Sequence, residues 1–225
     1  MNKKISLKKY IIFDLDGTLY KFKGGSFDKS PLKKIIKKNS RKFIAEQLQI
    51  NDLKADSILK NIIKTYKEEI SIGLEKKCGL NRFKYFNTVW NIPAENLVKY
   101  NSQTRSILNL LRKKYVLILV SDAPQIWIQN VIKVLKIKNI FKNKIFSGES
   151  DTRKGLGNAF KYIIKKTGGT PKNYIVVGDQ EKTDIQPAKK IGMTTIFINK
   201  NKTSKIANYN ISEFKKITAI LPLLD

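Results

Sequence analysis

Histidine is absent from the 225 residues. That removes Ser-His-Asp and Cys-His nucleophile pairs, imidazole general bases and His-ligated zinc sites. The one cysteine, Cys78, can build neither an internal disulfide nor a thiolate cluster, which fits a reducing compartment. It is expected as a small buried residue. No apolar run approaches a membrane span in length. The opening MNKKISLKKYIIF has a basic start, but its apolar stretch stops at Asp14, short of a secretory core. The chain therefore reads as soluble and cytoplasmic, with no membrane partner. Any catalysis must run on carboxylates, hydroxyls and amines.

Acidic residues are also scarce, 18 Asp+Glu against 45 Lys+Arg, for a net charge of +27. Such a surplus attracts anionic substrates and raises the question of a polyanionic partner. Only Arg41, Arg82, Arg105, Arg112 and Arg153 are arginine, which leaves 40 lysines. Base-edge readers depend on the planar arginine fork, whereas lysine acts as a hydrated point charge. The lysines are spread along the chain as doublets, the pattern of solvated faces. Nucleic acid is thus the less favoured partner, and a small anionic substrate the favoured one.

Short apolar runs alternate with amphipathic segments. Residues 10–15 (YIIFDL), 115–120 (YVLILV), 174–177 (YIVV) and 194–198 (TTIFI) predict buried strands of a parallel sheet, with a weaker one at 144–146. Helices are expected at 124–135, 156–166, 183–191 and 211–221, with Gly168–Gly169 and Gly192 at helix ends. This alternation predicts an α/β fold with a doubly wound, mostly parallel, Rossmann-like sheet. Residues 22–98 break the rhythm. They hold no good strand and suggest helices at 31–48, 53–70 and 82–90, the first opened by Ser30-Pro31. The expected organisation is a core from residues 1–21 and 99–225 with a helical insertion at 22–98. Gly24–Gly25 and Ile92–Pro93 are its natural hinges.

The carboxylates carry the chemistry. In Phe13-Asp14-Leu15-Asp16-Gly17-Thr18-Leu19, two aspartates end an apolar strand and a Gly-Thr turn follows. Doubly wound sheets bind ligands outside the carboxyl ends of their strands. Two carboxylates this close repel unless a cation or proton compensates. Ser121 follows the second strand, with Asp122-Ala123-Pro124 opening a helix whose N-terminus would face an anion. Taken alone, Ser121 reads as an N-cap. Lys154, within Asp151-Thr152-Arg153-Lys154-Gly155, precedes another helix. Gly178-Asp179-Gln180-Glu181-Lys182-Thr183-Asp184 then places two more aspartates after a strand, so a divalent-cation site is expected at this sheet edge.

The ordered set of DLDGT, a hydroxyl after the second strand, a lysine before a helix, and GDxxxxD resembles the haloacid dehalogenase-like (HAD) hydrolase superfamily. The likeness spans residues 8–22 and 99–200, and the insertion resembles that family's helical cap of the first type. Gly155 stands where the family often has proline after the lysine. The resemblance implies that Asp14 is the nucleophile, forming an aspartyl-phosphate, and Asp16 the general acid/base. Family dehalogenases and ATP-driven pumps lack that second acid, so its presence favours phosphatase or phosphomutase chemistry. Ser121 and Lys154, with Thr18 and Asp122 beside them, would take the phosphate. Asp14, the main-chain carbonyl of Asp16, Asp179 and Asp184 would hold Mg²⁺, which suits hard oxygen ligands.

The expected activity is therefore Mg²⁺-dependent hydrolysis of a small phosphomonoester such as a nucleoside monophosphate. A phosphosugar phosphatase or sugar phosphomutase is the alternative within the family, and a nucleic-acid-binding protein the alternative of another class. Residues 66–74, with DLDGTLY, are similar to pyrimidine 5′-nucleotidase-like members, and read equally as an amphipathic helix ending at Gly73. Trp90 and Trp127 are expected to pack rather than to stack on a base.

Overall fold

The computed structural model describes residues 9–149, 153–156 and 158–224. Asp151 and Thr152, and most of the basic N-terminal run, lie outside the described residues. The chain forms two compact units, Met1–Lys21 with Val98–Asp225, and Phe22–Leu97.

In chain order the first unit opens with β1 (Tyr10–Asp14), buried at every position. The second unit follows as α1 (Pro31–Leu48), α2 (Asp52–Tyr66), α3 (Ile70–Cys78) and α4 (Arg82–Val89). The first unit then resumes with α5 (Ser102–Leu111), β2 (Val116–Ser121), α6 (Gln125–Val134), α7 (Lys138–Phe141) and β3 (Ile145–Ser147). It continues through α8 (Asn158–Thr167), β4 (Tyr174–Gly178), α9 (Gln186–Lys190), β5 (Thr194–Ile198), β6 (Tyr209–Ile211) and α10 (Ile217–Ile220).

The strands form one sheet in the order β3-β2-β1-β4-β5-β6, every pairing parallel. Runs such as YIIFD and VLILVS lack polar alternation because helices cover both faces of such a sheet. Successive side chains alternate faces. Ile12 therefore joins Ile118, Phe160, Ile163 and Tyr174 on one side, while Phe13 meets Phe141 and Phe214 edge-on at ring-centroid distances of 6.3 and 5.7 Å on the other. In register, Phe13 sits beside Leu119 of β2 and Val177 of β4. Sequence order reverses at β1, the switch point where such sheets open a crevice. Asp14, Ser121 and Gly178 end the three strands that meet there.

Two expectations for this unit are corrected. Ile211 belongs to β6, beside Ile198, not to a helix starting there. Asn208 and Asn210 fix the extended chain by bonds to Thr195 and Ser204, and so short a strand leaves no periodic signal. The segment read as one helix over 183–191 starts as a π-helical turn, Glu181–Ile185, before α9. Pro187 has no N–H for an α-type bond to Thr183, so the wider register precedes it.

The second unit forms as its caps dictate. Ser30 Oγ accepts from Lys33 N at 3.2 Å with Pro31 in the first turn, and Asn51 and Asn81 cap α2 and α4 in the same way. Phe43, Ile44, Leu59, Leu74, Tyr85 and Val89 are buried in this unit, with Tyr85 Oη 2.8 Å from Ser40 Oγ. The helix expected over 53–70 stops at Tyr66, where Lys67 turns left-handed at φ 53°, and α3 folds back. Gly73 lies inside α3 rather than at its end, which Gly79 makes at φ 67°. A Cβ on Gly73 would stand 2.7 Å from Tyr66 Cδ2 and 2.8 Å from Ile62 Cγ2, so glycine lets α3 approach α2. Cys78 is half-buried rather than buried. Among the described residues no helix is long and apolar enough to cross a membrane.

Gly73→Val should cost this unit about 2 kcal/mol or more by overpacking. Urea unfolding would register it as a lowered midpoint, and an unchanged midpoint would contradict the close helix approach.

Candidate functional site

Asp14 closes β1 and is only 3 % exposed. The chain then turns through Gly17 at φ 92°, with the N–H of Leu19 bonded to the Leu15 carbonyl at 3.0 Å. This returns Thr18 to the strand end, where its hydroxyl donates to Asp14 Oδ2 at 2.7 Å. Lys154 Nζ donates to Asp14 Oδ1 at 2.5 Å and to Asp184 Oδ1 at 2.6 Å, a three-group cluster almost sealed from water. Burial acts to lower the Lys154 pKa, but Asp14, Asp184 and Asp122 outweigh it and hold it well above the ordinary value.

The loop after β4 brings two more carboxylates to the same point. The π-helical turn carries Asp184 back over Gly178, and Asp184 Oδ2 accepts from Gln180 N at 2.9 Å. Asp14, Asp179 and Asp184 each present an oxygen such that all three lie within 4.8 Å of one another. Two glycines make this approach feasible. A Cβ on Gly17 would fall 2.2 Å from Asp179 Oδ2, and one on Gly178 would fall 2.2 Å from Asp184 Oδ2. Asp179 Oδ1 is buried with no hydrogen-bond partner among the described residues.

The electrostatics are strained. Burial, then Asp14 and Asp184, push the Asp179 carboxyl up to about 8 against the pull of Lys21 and Lys154. Burial likewise raises Asp184 to about 7, with Lys154 pulling down and Asp14 pushing up. Lys21 Nζ donates to the Gly17 carbonyl. Its pKa is lowered by burial, with Asp179 and Asp14 acting to raise it. Asp14, Asp179 and Asp184 thus face two ammonium groups, those of Lys154 and Lys21. Fully ionised, they leave a net negative charge for a cation to offset. An all-oxygen donor set without imidazole or thiolate suits a hard cation such as Mg²⁺. With its orphaned oxygen and its two glycine-made gaps, the cluster fits that ion.

Asp16 is held apart from this cluster. Its Oδ1 accepts from Tyr20 Oη at 2.5 Å and from Trp127 Nε1 at 2.8 Å, and its Oδ2 accepts from Ser121 Oγ at 2.8 Å. Burial and then Asp14 raise its pKa, while the three donors act to lower it. The Tyr20 phenol is raised well above its ordinary value by burial and by Asp16.

Each sequence-derived candidate has a definite place. Asp14, Thr18, Lys154, Asp179 and Asp184 share one cluster, and Asp16 and Ser121 form a pair beside it. Asp122 Oδ1 accepts the backbone N–H of Lys154 at 2.8 Å, tethering the lysine segment to the end of β2. Ser121 Oγ also accepts the Ala123 N–H at 3.1 Å, a local turn ahead of α6, whose N-cap position is Pro124 and not Ser121 as expected. At the start of α6, the Gln125 N–H is taken by Glu149 at 2.9 Å. Tyr20, Lys21 and Trp127 were missed as site residues. Tyr20 and Lys21 directly follow DLDGTL, a signal available in the sequence, whereas Trp127 carries none because its indole reaches Asp16 only through the fold.

The model of the haloacid dehalogenase-like hydrolases matches residues 8–192. Human N-acylneuraminate-9-phosphatase is 24 % identical over 249 residues, spanning 98 % of this chain and 96 % of that protein. The glyceraldehyde 3-phosphate phosphatase of Methanocaldococcus jannaschii is 27 % identical over 226 residues, 96 % of each. Among solved structures, a HAD phosphatase from Thermococcus onnurineus superposes with a TM-score of 0.65 at 21 % identity, covering 95 % of this chain and 97 % of that one. A 2-haloacid dehalogenase from Pseudomonas syringae gives 0.66 at 17 %, covering 97 % and 100 %.

Because Asp179 and Asp184 have raised pKa values, the folded metal-free chain keeps protons that the unfolded chain has released. Their contribution to stability is complete below the ordinary carboxylate range, is lost as pH rises through about 7 and 8, and is flat beyond. Mg²⁺ should therefore raise the melting temperature of chelator-treated protein more at about pH 8.5 than at about pH 5.5. Calorimetry at both pH values tests it, and equal shifts or none would exclude this cluster as the cation site.

Proposed function

The chain belongs to the haloacid dehalogenase-like hydrolase family and is a hydrolase of phosphoric monoesters, and we propose that it acts on a small sugar-type phosphate through an aspartyl-phosphate on Asp14 with Mg²⁺ bound. The observation that carries this reading is the meeting of Asp14, Asp179 and Asp184 within 4.8 Å at the carboxyl end of the sheet. Asp16 stands beside them on its own donors.

Asp14, the carbonyl of Asp16, Asp179 and Asp184 would hold the cation. When bound, it offsets phosphate charge so that a carboxylate can approach phosphorus. An oxygen of Asp14 attacks phosphorus, the bond to the leaving oxygen breaks, and Asp16 gives that oxygen its proton. Asp16 then takes a proton from a water whose oxygen attacks the aspartyl-phosphate, releasing phosphate and restoring Asp14. Lys154 and Thr18 keep the Asp14 carboxylate aligned, and Ser121, whose hydroxyl donates to Asp16 Oδ2, would turn to donate to a phosphoryl oxygen. We assign the helical unit of residues 22–97 the role of selecting the substrate.

Two observations favour a sugar-type phosphate over a nucleotide. The relatives named above are phosphatases of an acylneuraminate 9-phosphate and of glyceraldehyde 3-phosphate by name. Trp127, one of the two indoles available to stack on a base, is 0 % exposed and bonded to Asp16. The net charge of +27 serves to draw anionic substrates.

A screen of phosphorylated sugars, trioses and nucleotides, with Mg²⁺ or with chelator, tests class and substrate together. Turnover should require the metal and be greatest on sugar-type esters. Asp14→Asn should abolish it, and Asp16→Asn should lower it by about 10²–10⁴-fold, the usual worth of acid–base catalysis. Both proteins should stay folded. Undiminished turnover by either variant refutes its role.

A further inference from the structure

Buried tyrosine hydroxyls and indole N–H groups need hydrogen-bond acceptors, and a backbone carbonyl usually serves. Here Tyr20 and Trp127 both use the same oxygen of one carboxylate, Oδ1 of Asp16, at 2.5 and 2.8 Å. They reach it from different directions. Tyr20 lies four residues along the turn and bridges back to Asp16. Trp127 comes from the first turn of α6. Long helical side chains lean toward their helix N-terminus, which for α6 is the end next to Ser121 and the tip of β2. The indole is 0 % exposed and Tyr20 is 6 % exposed, so neither side chain has room to turn away. Ser121 meets the opposite oxygen, Oδ2, at 2.8 Å with a hydroxyl that rotates about a single bond.

We propose that Tyr20 and Trp127 are positioning residues that clamp Oδ1 of Asp16 and thereby assign Oδ2 as the oxygen that exchanges a proton with the leaving group and with water. The inference rests on the phosphatase reading above. With two donors fixed on Oδ1, the carboxyl plane is set and Oδ2 alone is left to face the reacting oxygens. As the bond between phosphorus and the leaving oxygen breaks, the proton on Oδ2 passes to that oxygen. In the second half it is replaced from the attacking water. The Ser121 hydroxyl turns from Oδ2 to a phosphoryl oxygen while Oδ2 carries its proton. The hydroxyl of Tyr20 and the N–H of Trp127 both donate to Oδ1, the oxygen that does not exchange the proton. Their effect is carried through Asp16.

A positioned acid matters most when the leaving oxygen is a poor one, and this separates positioning from mere packing. The experiment compares kcat/KM for an alkyl ester, glycerol 3-phosphate, with that for p-nitrophenyl phosphate, whose anion departs without a proton. Both are measured in saturating Mg²⁺ for the wild type, Tyr20→Phe, Trp127→Phe and Tyr10→Phe. Tyr10 sits at the other end of β1 with its hydroxyl on the Thr167 carbonyl at 2.9 Å, so its variant controls for the loss of a buried phenol. Tyr20→Phe and Trp127→Phe should each lose about tenfold or more on the alkyl ester, a fraction of the 10²–10⁴ available to acid–base catalysis, and less than about threefold on the aryl ester. Tyr10→Phe should leave the ratio of the two esters unchanged. If Trp127→Phe does not fold, Tyr20→Phe decides alone. Equal losses on both esters, or no loss on either, overturn the assignment while leaving the phosphatase reading intact. A wild type silent on every phosphoester with Mg²⁺ overturns that reading and this inference with it.

Discussion

Like charges gathered at a buried strand end repel, and that repulsion sets the terms for everything built around it. Two carboxylates about 4 Å apart cost about 1 kcal/mol in water and about 4 kcal/mol at an effective dielectric of 20. Several such pairs consume a large share of the 5–15 kcal/mol by which domains are usually stable. The fold answers in two ways. An apolar parallel sheet, buried on both faces at β1, holds the strand ends rigidly. Lys154 then binds Asp14 and Asp184 at once, nearly sealed from water, and offsets part of that repulsion.

Two aspartates separated by a single residue are given different work by their surroundings. Asp14 points into the cluster, where an ammonium and a hydroxyl align it. Asp16 points away, toward a phenol, an indole and a serine. Only Leu15 stands between them, and Gly17, just after Asp16, clears space for Asp179. When chemically identical groups sit in such unlike environments, one can attack while the other shuttles protons.

Much of this arrangement was legible in the sequence because it depends on local rules. Apolar runs without alternation marked β1, β2, β4 and β5, and the acidic residues at their ends marked the crevice. The zero for histidine narrowed the chemistry before any geometry was known. What escaped was set by tertiary contacts or by short elements. β6 is three residues long and is pinned by asparagine side chains. Gly73 looked like a helix stop but is a point of close packing between α2 and α3. Trp127 was expected to fill space, and it does, but its N–H finds a carboxylate 111 residues away in sequence. No periodicity or motif reports such a partner. It exists only once α6 lies against the tip of β1.

Each of the two compact units contains one of the two tryptophans, Trp127 in the first and Trp90 in the second. The surroundings of these indoles differ sharply, for Trp127 is sealed against an anionic oxygen while Trp90 is half-buried at the end of α4. Tryptophan emission from the native chain therefore comes from two indoles in unlike surroundings, one per unit. The first of these indoles is bonded to the very group that would relay protons, so a change at that carboxylate is felt directly by an intrinsic chromophore.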